Sequence, residues 1–156
     1  MGPVAHAGRI AAMRDLVEDA RAKGAAILEG GTTLQRPGFF FAPTVIETSS
    51  DAPAVMRTEP FGPMATLTAV DDLADALRWA NGTRYGLAAY AFTRDVGRVN
   101  ALIDGFEAGL VGINNFGISM PELPFGGVKD SGYGVEKGPE GLDAYSIVKT
   151  ACVAFG

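Results

Sequence analysis

Between Ala65 and Ile113 the chain alternates short β-rich runs with helical periodicity, and this alternation limits the fold more than any other feature. Ala65–Val70 reads as a strand. Asp71-Asp72 supply N-cap chemistry for a helix with Leu73, Ala76, Leu77 and Ala80 along one face, and Asn81-Gly82 stops it. Gly86–Phe92 is strand-like again. Asp95 opens a second helix carrying Val96, Val99, Leu102 and Ile103, and Gly109–Ile113 returns as a strand. Strands joined through helices pair in parallel by right-handed crossovers, so the spacing predicts an α/β fold: a parallel sheet with flanking helices.

The flanking regions follow the same logic. Ile10, Met13, Leu16, Val17 and Ala20 recur at three- and four-residue spacing and predict a helix ending at Lys23-Gly24. Ala25–Leu28 reads as a short buried strand before the Gly30-Gly31 turn. Phe39–Glu47 reads as a second strand that Pro43 makes an edge or irregular one. Asn114–Gly138 is glycine-rich with little periodicity, a kind of stretch that is usually functional or leans on something else. A last amphipathic turn, Gly138–Asp143, leads to Tyr145–Phe155, whose β-branched and aromatic residues predict a terminal strand.

Composition removes several function classes. The 156 residues fit one compact domain, with the 47% apolar and 20% charged residues of an ordinary globular chain. A net charge of −5 argues against nucleic acid or an anionic membrane as partner. No apolar run approaches the ~18 residues of a membrane span, and no basic-then-apolar leader opens the chain. The single cysteine, Cys152, has no partner for an internal disulfide, which suits a reducing, cytoplasmic setting. One histidine and one cysteine are too few for a structural zinc site, so no metal is expected.

Several motifs fail when their mechanics are examined. Gly132–Gly138 is one residue too long for GxGxxG and follows a polar loop, where that motif needs a buried strand. Gly117–Pro121 misses the hydrolase elbow GxSxG at its fifth position, and His6 is far away in sequence. His6 is expected to be exposed ahead of the first helix. Cys152 is expected to be a packed thiol in an apolar strand rather than a nucleophile. Two segments remain. Thr58-Glu59-Pro60-Phe61-Gly62-Pro63 sets a carboxylate and an aromatic ring two residues apart in backbone stiffened by two prolines. That pairing suits a nucleoside, the carboxylate accepting from vicinal hydroxyls and the ring flanking a flat heterocycle; the plainer alternative is a turn with Phe61 in the core. Pro124–Gly134 is the second, a loop whose glycines permit close backbone approach to a ligand or a neighbouring domain.

At these two segments the chain resembles the NAD(P)-dependent aldehyde dehydrogenase superfamily. Glu59–Pro63 matches E-x-F-G-P, and Pro124–Gly134 matches PFGG-x-K-x-SG-x-G. Met1-Gly2-Pro3 and Tyr145–Val153 are also similar to family segments, and the nearest likeness is to succinate-semialdehyde dehydrogenases. The resemblance implies the C-terminal half of the catalytic domain over residues 1–140, with an oligomerisation strand over 141–156. It implies that Glu59 holds the nicotinamide ribose, that Phe61 lies beside the nicotinamide ring, and that NAD or NADP is the cofactor. Phe125 would line the pocket for a small-molecule aldehyde, and Ser119 would sit near the far carboxylate of a semialdehyde. Lys129 and Glu136 match positions assigned to a proton path, or serve structure. Family chemistry needs a cysteine nucleophile and a glutamate base, both upstream of the segment matching Met1. No catalytic residue is therefore expected in this chain. It should be inactive alone and act with a missing N-terminal part or within a homo-oligomer. The other reading is a non-catalytic interaction module derived from the family, favoured by its assembly strand.

Overall fold

In the computed structural model, which describes residues 1–156, the first periodic segment forms helix α1 (Ala7–Ala22). Its apolar stripe, Met13, Leu16, Val17 and Ala20, is buried. The helix begins at an exposed His6 and ends at Lys23, where Gly24 takes the left-handed conformation (φ 82°) and its N–H reaches Arg21 O. Strands β1 (Ala26–Glu29), β2 (Thr44–Glu47) and β3 (Met64–Leu67) form one sheet in that order. β1 pairs antiparallel to β2, and β2 pairs parallel to β3 from Thr44↔Met64 to Glu47↔Leu67. Parallel neighbours need a long connection, and Thr48–Pro63 provides it through a 3₁₀ turn at Ala54–Met56. The core of this unit, Met1–Asp71, gathers Leu16, Ala20, Ile46 and Val55 with Met13, Val17 and Phe41. Met13, Val17 and Ile46 are fully buried, each contributing about 1.5–3 kcal/mol of hydrophobic stabilisation.

The second unit, Asp72–Gly156, holds α2 (Leu73–Asn81), β4 (Tyr85–Gly86), β5 (Ala88–Ala91), α3 (Val96–Gly105), β6 (Leu110–Ile113) and β7 (Val128–Lys129). Both helices start as the sequence predicts: Asp72 accepts from Asp75 N, and Asp95 accepts from Gly97 N and Arg98 N. β5 pairs parallel to β6, and β4 pairs antiparallel to β7.

Five expectations need correction. The parallel sheet exists only as the pairs β2–β3 and β5–β6, because ladders of four residues or fewer give three separate sheets. β1 is largely exposed, only Ile27 being half-buried, since an edge strand covered on one face by a helix leaves its other face open. The strand expected from Phe39 begins only at Thr44, because Pro43 has no N–H for a ladder; Phe41 forms a lone bridge with Thr33. The terminal strand does not form. A 3₁₀ helix covers Pro139–Tyr145, and residues 146–156 are exposed without regular structure. A strand is made by its neighbour, and this segment has none to pair with. Cys152 is consequently an exposed free thiol and not a packed one. By compactness the chain divides at Asp71/Asp72.

Candidate functional site

In the first unit the Glu59–Pro63 turn lies between the 3₁₀ turn and β3 and is tied to α1 at both ends. Upstream of it, Ala54 N donates to Asp19 Oδ2 at 2.6 Å, and Asp19 also pairs with Lys23 at 2.6 Å. The Ala54 amide first, and then the Lys23 ammonium, hold the Asp19 carboxyl below the usual carboxylate range. Within the turn, the Arg9 guanidinium donates to Pro60 O and lies 5.9 Å from the centre of the Phe61 ring. The Arg9 Nε is buried without a hydrogen-bond partner. Gly62 packs against the fully buried Met13.

Phe61 itself is the outlier. Its φ is 43°, a left-handed conformation that costs a bulky residue on the order of 1–2 kcal/mol, and its ring is 70% exposed. The turn therefore presents the ring outward on strained backbone, with the exposed carboxylate of Glu59 two residues before it. Phe61 is not in the core, so the plainer alternative for this segment fails. An exposed flat ring beside an exposed carboxylate fits the nicotinamide nucleoside of a dinucleotide: an aromatic wall for the ring and an acceptor for ribose hydroxyls.

In the second unit the loop 114–138 starts at Asn114, whose φ of 53° is fixed by two hydrogen bonds with the backbone of Thr93, at 2.9 and 2.8 Å. Phe116 then stacks on Tyr90 and Phe92 at 5.3 and 5.1 Å between ring centres. Further on, Phe125 and Glu136 exchange backbone hydrogen bonds at 2.7 and 2.8 Å, and Gly138 N donates to Pro121 O at 3.1 Å. These bonds fold the loop back on itself and bring Lys137 between two of the candidate residues. The Lys137 ammonium donates to Ser119 Oγ at 2.6 Å and lies 5.1 Å from the centre of the Phe125 ring.

The two candidate proton-path residues part company. Lys129 (φ 54°) donates to the carbonyls of Asn81 and Thr83 at 2.9 and 3.1 Å and pairs with Glu107 at 2.5 Å. Its ammonium thereby ties the end of α2 to the loop before β6. Glu136 stands beside Phe125 through the backbone bridge, with an exposed side chain. Ser119, Phe125 and Glu136 are thus assembled, and Lys129 is anchored apart from them. Arg9 and Lys137 were missed by sequence reasoning. Each acts across a long stretch of chain, 51 residues from Arg9 to Pro60 and 18 from Lys137 to Ser119, and no local pattern signals such pairs. No group of histidine, cysteine, aspartate and glutamate side chains could hold a metal ion, and no helix is long and apolar enough to cross a membrane.

Comparison with known proteins gives a consistent result. The family described as "Aldehyde dehydrogenase family" matches residues 1–151. A 4-(hydroxymethyl)benzenesulfonate dehydrogenase of Comamonas testosteroni is 45% identical over 150 residues, covering 96% of this chain and 31% of that protein. An NADP(+) succinate-semialdehyde dehydrogenase of Mycobacterium tuberculosis is 45% identical over 138 residues, covering 88% and 30%. The crystal structure of a succinate-semialdehyde dehydrogenase from Burkholderia pseudomallei superposes with a TM-score of 0.91 at 38% identity, covering 99% of this chain and 32% of that one. The chain spans about a third of the length of the relatives it matches.

Proposed function

The chain belongs to the aldehyde dehydrogenase family, and on that premise we propose that it forms the nicotinamide-facing wall and part of the aldehyde site of such an oxidoreductase. The single observation that carries this reading is Phe61, an aromatic ring 70% exposed on left-handed backbone beside the carboxylate of Glu59. An exposed aromatic ring on left-handed backbone is the kind of strained position that clusters at ligand sites. In this reading Glu59 accepts from the ribose hydroxyls of NAD or NADP and Phe61 flanks the nicotinamide. Ser119 and Phe125 contact the aldehyde, for which succinate semialdehyde is one candidate. The dinucleotide, when bound, supplies the hydride acceptor. The chain's own residues bind, orient and exclude water, and none of them supplies the nucleophile: Cys152 lies on the exposed tail with no base beside it.

The test pairs binding with turnover. On titration with NADH, the amides of Thr58–Gly62 should shift in an NMR spectrum, and Phe61→Ala should reduce the affinity. With succinate semialdehyde and NAD⁺ or NADP⁺, absorbance at 340 nm should stay flat for this chain alone. Turnover that survives Cys152→Ala would refute the assignment of the nucleophile to another segment.

A second reading rests on the tail. Ile147 and Val148 are each 95% exposed, and Tyr145 and Phe155 are exposed at the two ends of the same segment, which has no strand partner. Such an edge suits an interaction or oligomerisation module built by strand addition. Sedimentation of the chain with and without residues 145–156 separates the two readings, because deletion should dissolve any oligomer and leave NADH binding in place.

A further inference from the structure

Arg9 breaks three local rules at once. It stands in the first turn of α1, where the helix dipole disfavours a cation, and that turn holds no acidic residue and no side-chain cap. No carboxylate lies within ion-pair distance of its guanidinium; Asp19, farther along the same helix, pairs with Lys23 instead. Its Nε is buried with no hydrogen-bond partner, a cost that the rest of the fold must offset. A cation kept under those conditions serves something other than the stability of its own helix.

Its one side-chain hydrogen bond points to what that is. The guanidinium reaches 51 residues along the chain to donate to Pro60 O. That oxygen belongs to the peptide plane ending at Phe61 N, and the φ of Phe61 is the rotation about the bond leaving that plane. The Pro60 ring fixes its own φ, so the direction of its carbonyl is the soft variable ahead of Phe61. Left to itself, a phenylalanine prefers an extended or right-handed φ. Here φ is 43°, the ring is 70% exposed, and the guanidinium lies 5.9 Å from the ring centre, where a cation attracts the aromatic face. On the other side of Phe61, Gly62 packs against the buried Met13, so α1 grips the turn both before and after the ring.

We propose that Arg9 is a positioning residue for the dinucleotide: it holds the Pro60–Phe61 peptide in the orientation that keeps Phe61 left-handed, and so presents the ring to the nicotinamide. It acts through Phe61 and makes no contact of its own with the cofactor. This goes beyond the assignment of Glu59 and Phe61 and rests on it.

The experiment uses the full chain, isotopically labelled for NMR, and reads two quantities. The one-bond Cα–Hα coupling of Phe61, measured without cofactor, reports the sign of φ. Arg9→Met keeps the aliphatic stem and removes the donor, and should move that coupling toward its value for negative φ. NADH titration reads the affinity, which Arg9→Met should lower about tenfold. Arg9→Lys, which keeps a cation and a donor, should recover most of both effects. In a Phe61→Ala background Arg9→Met should cost no further affinity, because its route to the cofactor is the ring. Hydrogen-exchange protection of α1 should persist in every variant. An unchanged Phe61 coupling in Arg9→Met, an undiminished NADH affinity, the same loss in the Phe61→Ala background, or lost protection of α1 would each overturn the proposal. Absence of any NADH shift at Thr58–Gly62 in the unsubstituted chain would sink the cofactor reading and the proposal with it, whereas shifts there that Arg9→Met leaves at full strength would sink the positioning role alone.

Discussion

Replacing Gly62 by alanine should destabilise the first unit, because the position is filled from the other side by the core. A methyl group built there overlaps Met13 Sδ and comes within 3.2 Å of Met13 Cγ and 3.4 Å of Cε. Met13 is fully buried among Val17, Phe41 and their neighbours, so its thioether has no solvent to swing into. Overpacking of this kind costs roughly 1–3 kcal/mol, which is a factor of about 5 to 150 in the opening equilibrium. The only tryptophan, Trp79, and all four tyrosines lie in the second unit, so fluorescence is blind to this event. Native-state hydrogen exchange of peptides from α1 and β2 reads it directly. Protection there should fall by that factor in Gly62→Ala. Met13→Ala should cost about 2–5 kcal/mol by itself, as a buried truncation does. The double variant should cost less than the two together, since the new methyl occupies the space the thioether vacates. Full additivity, or undiminished protection in Gly62→Ala, would refute the argument that Gly62 is there for close approach.

Other changes have signs that the structure fixes. Phe61→Asn should leave the urea midpoint unchanged or raised, because asparagine tolerates left-handed backbone, while NADH binding weakens. The Asp19 carboxyl is more acidic folded than unfolded, so its contribution is present above its unfolded value near pH 3.8 and is lost as pH falls through the lower folded value. Asp19→Asn should therefore flatten the acid limb of exchange protection in α1 and leave the limb above neutrality alone. Asp95→Ala removes the acceptor for Gly97 N and Arg98 N at 2.8 and 3.4 Å and should cost about 1 kcal/mol, read as earlier fraying of α3 by hydrogen exchange.

What the sequence made legible was local. Asp72 and Asp95 were readable as caps because a cap is satisfied within three residues, and the α1 stripe was readable because its period is set by one helix. The Gly30-Gly31 turn also follows from its residues alone, with φ of 71° and 75°. The rest depended on partners far along the chain. Tyr145–Phe155 has strand composition, yet composition cannot supply the neighbour that makes a strand. Cys152 was misplaced for the same reason, since its burial was inferred from that strand. Glu59 and Phe61 are a local pair in the sequence, but the contacts around their turn come from α1: Arg9 lies 5.9 Å from the Phe61 ring centre, and Met13 packs against Gly62. Lys137 gave no signal at all, because its meaning comes from a fold-back that brings Ser119 and Phe125 to it.

That fold-back has its own physical basis, and it accounts for why the loop is written in glycine. A side chain on Gly109 would strike the carbonyl of Gly126, and one on Gly126 would lie 2.6 Å from the carbonyl of Gly134. The loop is therefore packed backbone against backbone, where an ordinary core packs side chain against side chain. Polar side chains complete the job: Ser131 Oγ accepts from Gly86 N at 2.9 Å, and the Lys129 ammonium takes the carbonyls of Asn81 and Thr83. Within the stretch Pro124–Gly134, then, Gly126, Lys129 and Ser131 build the loop, and their chemistry is consumed in building it. The Lys129 ammonium meets two carbonyls and a carboxylate, one partner for each of its three protons. Because the backbone is fixed in this way, Ser119, Phe125 and Lys137 contribute little to holding it. Their side chains meet one another at the surface of the loop, and substitutions there should leave its folding largely unchanged.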